Sequence, residues 1–565
     1  MSLFSSIQQS ANALTVAQLG LNVTGNNIAN ANTPGYIRQE LIQNSAPGYQ
    51  AGGVIIGAGV RATGVVQKID TFLSERLRET GSSLASSEAL TNVYNQIEAA
   101  FSELGDNDLS IQLSSFSNSI QDVLNQPGND ALRRLVLERG KTLTSQIRSL
   151  NGSMVSIKEN LNGQIQNSAQ DINRLTTRIA ELNQRIVQME GGRTSGSDAV
   201  GLRDERIQTL DELASIVDIR SVEQASGSVT VFVGGEYLVA DGIQRPVAFA
   251  VHRDGDVSTP EIHLADTDSP LQVSAGRLKG LYEARDGATA NAMNGLDEFA
   301  RGLIEQFNRI HSQGQGLEGY SSLTGSFGAD DTSAALDLAG LPTTIENGSF
   351  ELIVHDLESG QDRTAVIRIQ LNGSATDSTL EDVRDQISGV SGLSASVTPD
   401  GRLSIASTSQ KLRFAFKNDN SGFLAATGMN TFFDGNSAAT IKLNDQVADN
   451  PRLLAASLSG IGGGTENALR LANAFDEPLT QLNGQSIKQS YESLVVNTTQ
   501  DINMQQGTTD GLRNFYKTLE SQNLAASGVN LDEEAIKMIF YQRAFQASSR
   551  VIKASSEMLD TLVNL

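Results

Sequence analysis

The sequence predicts a multidomain protein. Its N- and C-terminal α-helices form paired coiled-coil ends, next to a long-helix bundle inner domain that carries inserted β-rich and α+β outer modules. Three observations predict this. Ile7, Leu14, Leu21 and Ile28 fall seven apart at one end, and Leu531, Met538, Phe545, Ile552 and Leu559 do so at the other. A seven-residue apolar repeat marks a helix whose seam meets another helix. No proline lies between Pro127 and Pro246, where the helical periodicity is strongest. Elsewhere, short apolar alternations punctuated by glycine read as small β modules. Helical ends thus enclose helical inner segments, which enclose β modules. The boundaries that follow are 1–45 with 522–565 for the terminal assembly domain, and 46–218, 286–320 and 446–521 for the helical inner domain. The β-rich module is 219–285 and the α+β outer insert is 321–445.

From the N-terminus, Ser2 to Asn27 read as one helix, with small Ser10, Ala17 and Thr24 between its heptad positions. It ends in Asn30-Ala31-Asn32-Thr33-Pro34-Gly35-Tyr36, whose Asn, Pro and Gly favour a turn. A glycine-punctuated β stretch from Val54 to Val66 follows, then a helix from about Asp70. From Asp130 to Glu190 two registers make an a/d seam: Met154, Leu161, Leu175, Leu182 and Met189, interrupted by Ser168, and Ile165, Ile172, Ile179 and Ile186. Such a helix would run about 90 Å, with Gly152 and Gly163 as its weak points. A helix over Leu202 to Ser215 comes next. Alternation at Val229, Val231 and Val233 with Gly234-Gly235 then predicts a hairpin.

Helix returns from Asn291 to His311, and the Gly/Ser-rich Gln313 to Gly328 reads as a linker. Within the outer insert, Phe350–Val354 and Ala365–Ile369 read as strands. Ser378-Thr379-Leu380-Glu381 reads as a capping box that opens a helix ending near Gly389. Leu393–Val397 and Arg402–Ile405 are further strands, and after Pro478 the chain is helical with one break near Ser527-Gly528.

Composition excludes several classes of function. The net charge of −23 repels nucleic acid and anionic lipid, and no Lys/Arg run offsets it. The absence of cysteine removes disulfides, thiol catalysis and thiolate zinc sites. No run of about 18 apolar residues exists to span a membrane, and the N-terminus lacks the basic and apolar regions of a secretory signal. His252, His263, His311 and His355 are not at metal-ligand spacing, although His252 and His263 could meet across a hairpin. The stretches Gly52 to Gly59 and Gly462-Gly463-Gly464 lack the Lys-Ser/Thr of a phosphate loop. No catalytic, cofactor-binding or metal-binding residue is expected.

The middle heptads fit an ordinary core within their own domain. The N-terminal helix does not. Residues 1–37 hold no charged side chain, whereas a solvated helix carries charges on its outer face. Burial against neighbours or other copies of the chain explains that absence. The C-terminal helix has Asp532, Glu533 and Glu534 at its start, which suits the positive end of its dipole.

Asn26 to Tyr36 read NNIANANTPGY, with Asn26, Asn27, Asn30, Asn32, Pro34, Gly35 and Tyr36 as its defining positions. This resembles the N-terminal signature of the flagellar rod, hook and hook-associated proteins. Ser527 to Glu534 with the helix to Leu565, Leu202 to Val217 and Val229 to Gly242 are similar to the first junction protein of the hook-associated set. Leu371 to Ser407 resembles a small β/α insert found in flagellins and hook-associated proteins. The resemblance implies a non-enzymatic protein without cofactors, joining hook to filament as a ring of like subunits. Its implied partners are further copies, the hook protein, a second junction protein and an export chaperone, with no nucleic acid and no membrane. It also implies an extracellular place at the hook–filament junction, reached by flagellar type III export without a cleaved signal. Two alternatives stand beside it: the hook protein itself, or a secreted coiled-coil adhesin or enzyme with flagellar-like ends.

Overall fold

Apolar periodicity is realised as helix along most of the chain. A computed structural model describes residues 3–33, 35–51, 54–102, 108–191, 199–254, 257–374 and 376–563. Helices occupy Leu3–Ala29 (α1), Thr71–Ser102 (α2), Leu109–Asn125 (α3), Asp130–Met189 (α4), Val200–Ile216 (α5), Arg277–Glu283 (α6) and Ala290–His311 (α7). They continue with Leu380–Ser388 (α8), Phe423–Ala426 (α9), Asp445–Asp449 (α10), Glu466–Asn473 (α11), Ile487–Ser527 (α12) and Leu531–Val563 (α13). The chain forms two compact units, 1–92 with 159–285 and 503–565, and 93–158 with 286–502.

The 60 residues of α4 are unbroken. Leu161, Ile165, Ile172, Leu175, Ile179, Leu182 and Ile186 are all buried on one face. Gly152 and Gly163 lie on the exposed face, where a Cβ would meet nothing within 4 Å. Each therefore costs only its propensity, about 1 kcal/mol, and neither interrupts the helix. Ser168 is buried but satisfied, its hydroxyl donating to the Gln164 carbonyl at 2.9 Å.

In the first unit, α1 and α13 pack on each other, beside the antiparallel strands Gln39–Ser45 and Val60–Gln67. An antiparallel four-stranded sheet runs 220–223, 229–233, 236–240, 243–244 in sequence order, with its hairpin turned by Gly234 and Gly235 at φ 56° and 88°. Two asparagines fasten the β module to α4. Asn183 donates to the Val229 carbonyl at 2.7 Å and accepts from its N–H at 3.0 Å. Asn173 does the same at Val247, at 2.7 and 2.9 Å. Each side-chain amide stands in for a neighbouring strand.

The second unit has an aromatic core. Phe116 meets Phe307, Phe432, Phe433 and Phe475 at centroid separations of 5.3 to 5.9 Å. Its α+β part holds two three-stranded antiparallel sheets. Gly348–Asp356 lies between Asp362–Ile369 and Leu412–Lys417, and Leu403–Ser407 between Ser322–Thr324 and Leu393–Val397.

Three sequence expectations change here. Gln313 to Gly328 is not a linker: Gln315 pairs with Ser457 and Tyr320 with Phe414, and Gly314, Gln315 and Gly316 are buried. Its glycines permit close backbone approach, since a Cβ on Gly316 would collide with the Arg452 carbonyl. The capping box is Thr379 with Asp382, one residue later than expected, and the helix ends at Gly389. The end of the 321–445 block does not stay with the insert, because Asn308 binds the N–H groups of Phe432 and Phe433 at 3.0 and 2.9 Å and draws both rings into the helical core.

Candidate functional site

The two ends of the chain are locked together where α1 stops and α13 starts. Asn27 and Glu534 are both 0% exposed, and the Asn27 side-chain amide donates to Glu534 Oε2 at 2.9 Å. The same amide donates to the Gln39 carbonyl at 2.9 Å. Asn27 Oδ1 accepts from the Gln39 N–H at 3.0 Å and from the Tyr36 hydroxyl at 2.8 Å. One side chain thus ends α1, starts the first strand and reaches α13.

Arg38, the first charge in the chain, completes the clasp. Its Nε donates to Glu534 Oε1 at 2.9 Å, and its Nη2 lies 2.7 Å from both Glu533 and Glu534. Its backbone N–H donates to the Ser527 carbonyl at 3.0 Å. Lys537 Nζ stands 3.4 Å from Glu534. Asn530 caps α13 by accepting from the Asp532 and Glu533 N–H groups at 3.0 and 3.3 Å.

Burial pushes the Glu534 carboxyl up, but hydrogen bonds from Asn27 and Arg38 and the charge of Lys537 outweigh it, so the group is held below the usual range. The Arg38 hydrogen bond holds Glu533 low as well. Burial, then the fields of Asp204 and Glu534, push the Tyr36 hydroxyl up to about 12, which keeps it a neutral donor to Asn27.

The signature residues gather at this clasp. Asn30 bonds the Asn26 carbonyl and side chain at 3.0 and 2.9 Å, and Asn26 reaches Gln39 at 3.4 Å. Gly35 has φ +74°, and a Cβ there would collide with Gln208. Asn32 is exposed, and Pro34 lies outside the described residues.

The heptad residues are placed less simply. Ile7, Leu14, Leu21 and Ile28 are partly buried, as are Met538, Phe545, Ile552 and Leu559. Leu531 is 52% exposed. The tightest approach belongs to the small positions between them. Val16, Ala17, Gly20 and Thr24 are buried on α1, and a Cβ on Gly20 would stand 2.5 Å from the Tyr541 ring. Glu534 and Ser555 are the buried residues of α13. A second apolar row remains uncovered: Phe4 and Leu19 on α1, and Ile536, Ile539, Phe540, Val551, Met558 and Leu562 on α13. Sequence reasoning found the clasp's residue types at both ends but not their pairing, which no periodicity announces.

The histidines have structural surroundings. Buried His311 binds the Asn430 carbonyl at 2.8 Å and accepts from the Ala455 N–H at 3.1 Å, and burial lowers it to about 4. His263 and His355 bond Asp268 and Asp362. His252 pairs in register with Thr259 and His263 with Ala248, so the two positions are not opposite each other in the hairpin ladder. Among the described residues no cluster of three His, Asp or Glu side chains is placed to hold a metal.

Comparison with known proteins agrees with this geometry. Residues 94–327 match the family described as flagellar hook-associated protein FlgK helical domain. Residues 7–36 match flagella basal body rod protein, and 520–565 match flagellar basal body rod FlgEFG protein C-terminal. The last two matches bracket the clasp. The chain is 25% identical to flagellar hook-associated protein 1 of Salmonella typhimurium, over 99% of both chains. It is 25% identical to the Bacillus subtilis protein of that name, over 100% of this chain and 98% of the other. In fold it is similar to the flagellar hook junction protein FlgK of Burkholderia pseudomallei, with a TM-score of 0.51 at 14% identity, covering 79% of this chain and 99% of that one. Both termini, the helical domain and full-length relatives point the same way: along its whole length the chain is similar to flagellar hook-associated protein 1.

Proposed function

We infer that this chain is a structural component of the bacterial flagellum, joining hook to filament. The observation that carries this reading is the clasped pair α1 and α13, one helix without charge and both with an uncovered apolar row. A helix face of that kind is stable only against another protein surface. In this reading the clasp fixes the two helices as one rigid element, and the apolar rows of neighbouring copies bury each other in a ring. The heptad residues support the pair from within, and the outward rows support contact between copies. Hook protein on one side and a second junction protein on the other are the further contacts, with an export chaperone covering the ends before assembly. The role is structural rather than enzymatic, and it places the protein outside the cell at the hook–filament junction.

Electron microscopy of a deletion strain tests this. Hooks present and filaments absent is the expected result. Loss of hooks assigns the chain to the hook itself, and normal flagella refute the junction role.

A further inference from the structure

The outer edge of the strand Asp362–Ile369 is closed at one end and open at the other. At Gln370 the N–H donates to the Ser378 hydroxyl at 2.9 Å and the carbonyl accepts from the Ser378 N–H at 2.8 Å. At Arg368 the side chain of Gln386 on α8 does both jobs, accepting at 2.9 Å and donating at 3.0 Å. Backbone groups alternate in direction along an antiparallel ladder. Thr364 and Val366 share the parity of Arg368, so their N–H and C=O groups also point outward.

The register on the inner side agrees. Ser349, Glu351 and Ile353 stand opposite Arg368, Val366 and Thr364. Ser349 turns its N–H and carbonyl to Asn420, away from this strand. Among the described residues no side chain closes the edge at Thr364 and Val366. Beside it lies a cavity of about 370 Å³, lined by Val354, Thr364, Val366, Gln386 and Val390. Val366 is 56% exposed there. In a chain of net charge −23, exposed Arg363 and Arg368 flank this opening on opposite faces of the strand; Arg363 lines the cavity and acts on Asp356 at longer range, and among the described residues neither arginine forms a close salt bridge.

We propose that the open edge at Thr364 and Val366 binds an extended acidic segment of a partner protein by strand addition, with Arg363 and Arg368 meeting its carboxylates. The outward N–H and C=O groups select a backbone in β conformation, as edge strands do. The cavity takes one apolar side chain, and the two arginines, one on each face of the strand, select negative charge along the added segment. The proposal is independent of the junction role, because the edge lies in the α+β part and none of its residues belongs to the terminal helices.

The test uses the full chain and a blocked six-residue peptide with valines between two terminal aspartates, whose carboxylates fall on opposite faces as Arg363 and Arg368 do. Its lysine-ended counterpart is the control. Binding of the acidic peptide and slowed hydrogen exchange of the segment Asp362–Ile369 are expected. Arg363→Glu with Arg368→Glu should weaken binding about tenfold, the scale of two exposed ion pairs. Val366→Pro removes one outward N–H and leaves the inner ladder, a substitution that edge strands tolerate. It should abolish binding with thermal unfolding unchanged. If Val366→Pro does not fold, the arginine variant, which touches no ladder bond, decides. The proposal is overturned by equal affinity for the lysine-ended peptide, by no binding at about 1 mM peptide, or by self-association of the chain through this edge.

Discussion

Arg38→Ala tests whether the clasp holds the ends together. The substitution removes the main cation from Glu534, whose side chain is 1% exposed. Breaking a buried ion pair costs about 3–5 kcal/mol, because a charge is left without its partner. Asn27 at 2.9 Å and Lys537 at 3.4 Å remain, so the expected loss is at the lower end, about 3 kcal/mol. That is roughly a hundredfold in the opening equilibrium of the α1–α13 pair. Hydrogen exchange of both helices at pH 7 reads it directly, with the helices of the second unit as internal reference.

The pH dependence should also weaken. In the native chain the folded value of Glu534 is depressed. Its contribution is therefore present above the unfolded value, about 4.3, and is lost as pH falls through the folded value. Without Arg38 two of the influences that lower the folded value are gone while the Asn27 hydrogen bond and Lys537 remain, so the depression shrinks and less stability is left for acid to remove. Arg38→Ala combined with Glu534→Gln should recover stability over Arg38→Ala alone. Native exchange rates in Arg38→Ala, or no recovery in the double variant, would refute the reasoning.

Other outcomes follow from the same geometry. Gly20→Leu should force the terminal helices apart by overpacking against Tyr541, costing about 1–3 kcal/mol. Gly25→Ala on the same helix, where a Cβ meets nothing within 4 Å, should stabilise by up to about 1 kcal/mol; exchange in α1 separates the two. Phe545→Asp should abolish swarming and filaments while calorimetry of the second unit hardly moves, and a charge swap at exposed Lys553 should be mild; motile Phe545→Asp cells would remove the seam from assembly. Excising 328–426 should still support filaments, because Phe327 and Thr427 already meet at 3.3 Å and Phe432 and Phe433 stay in the core; cells that shed all flagellin would make the insert part of the junction. His311 is neutral in the fold with its value lowered to about 4, so the second unit should lose stability as pH falls from about 6.5 towards 4, a slope that His311→Phe should flatten in urea titrations.

Helices were legible wherever burial is periodic. The registers of α4 are visible because every buried layer returns after three or four residues, and the terminal heptads for the same reason. The clasp was not, because Asn27 and Glu534 lie 507 positions apart and a single polar pair has no period. Gly152 and Gly163 misled because a sequence does not say which face a glycine occupies. The apparent linker misled because glycine serves flexibility and tight backbone packing with the same letter. Gly316 against the Arg452 carbonyl is the second case. Phe432 and Phe433 escaped the insert because their destination is set by one asparagine, Asn308, on a helix more than a hundred positions earlier.

Pairing the first helix with the last also sets an order of events. A chain that emerges N-end first exposes α1 while its partner, α13, is still unmade. An isolated helix of 27 residues without charged pairs is marginal in water. Closing a loop of some five hundred residues to pair it costs about 5 kcal/mol of chain entropy. Once the intervening segments fold and bring Arg38 beside Ser527, most of that cost is gone and the helices can join. The leading end therefore stays without its helical partner until the trailing end has been made and the segments between them have folded.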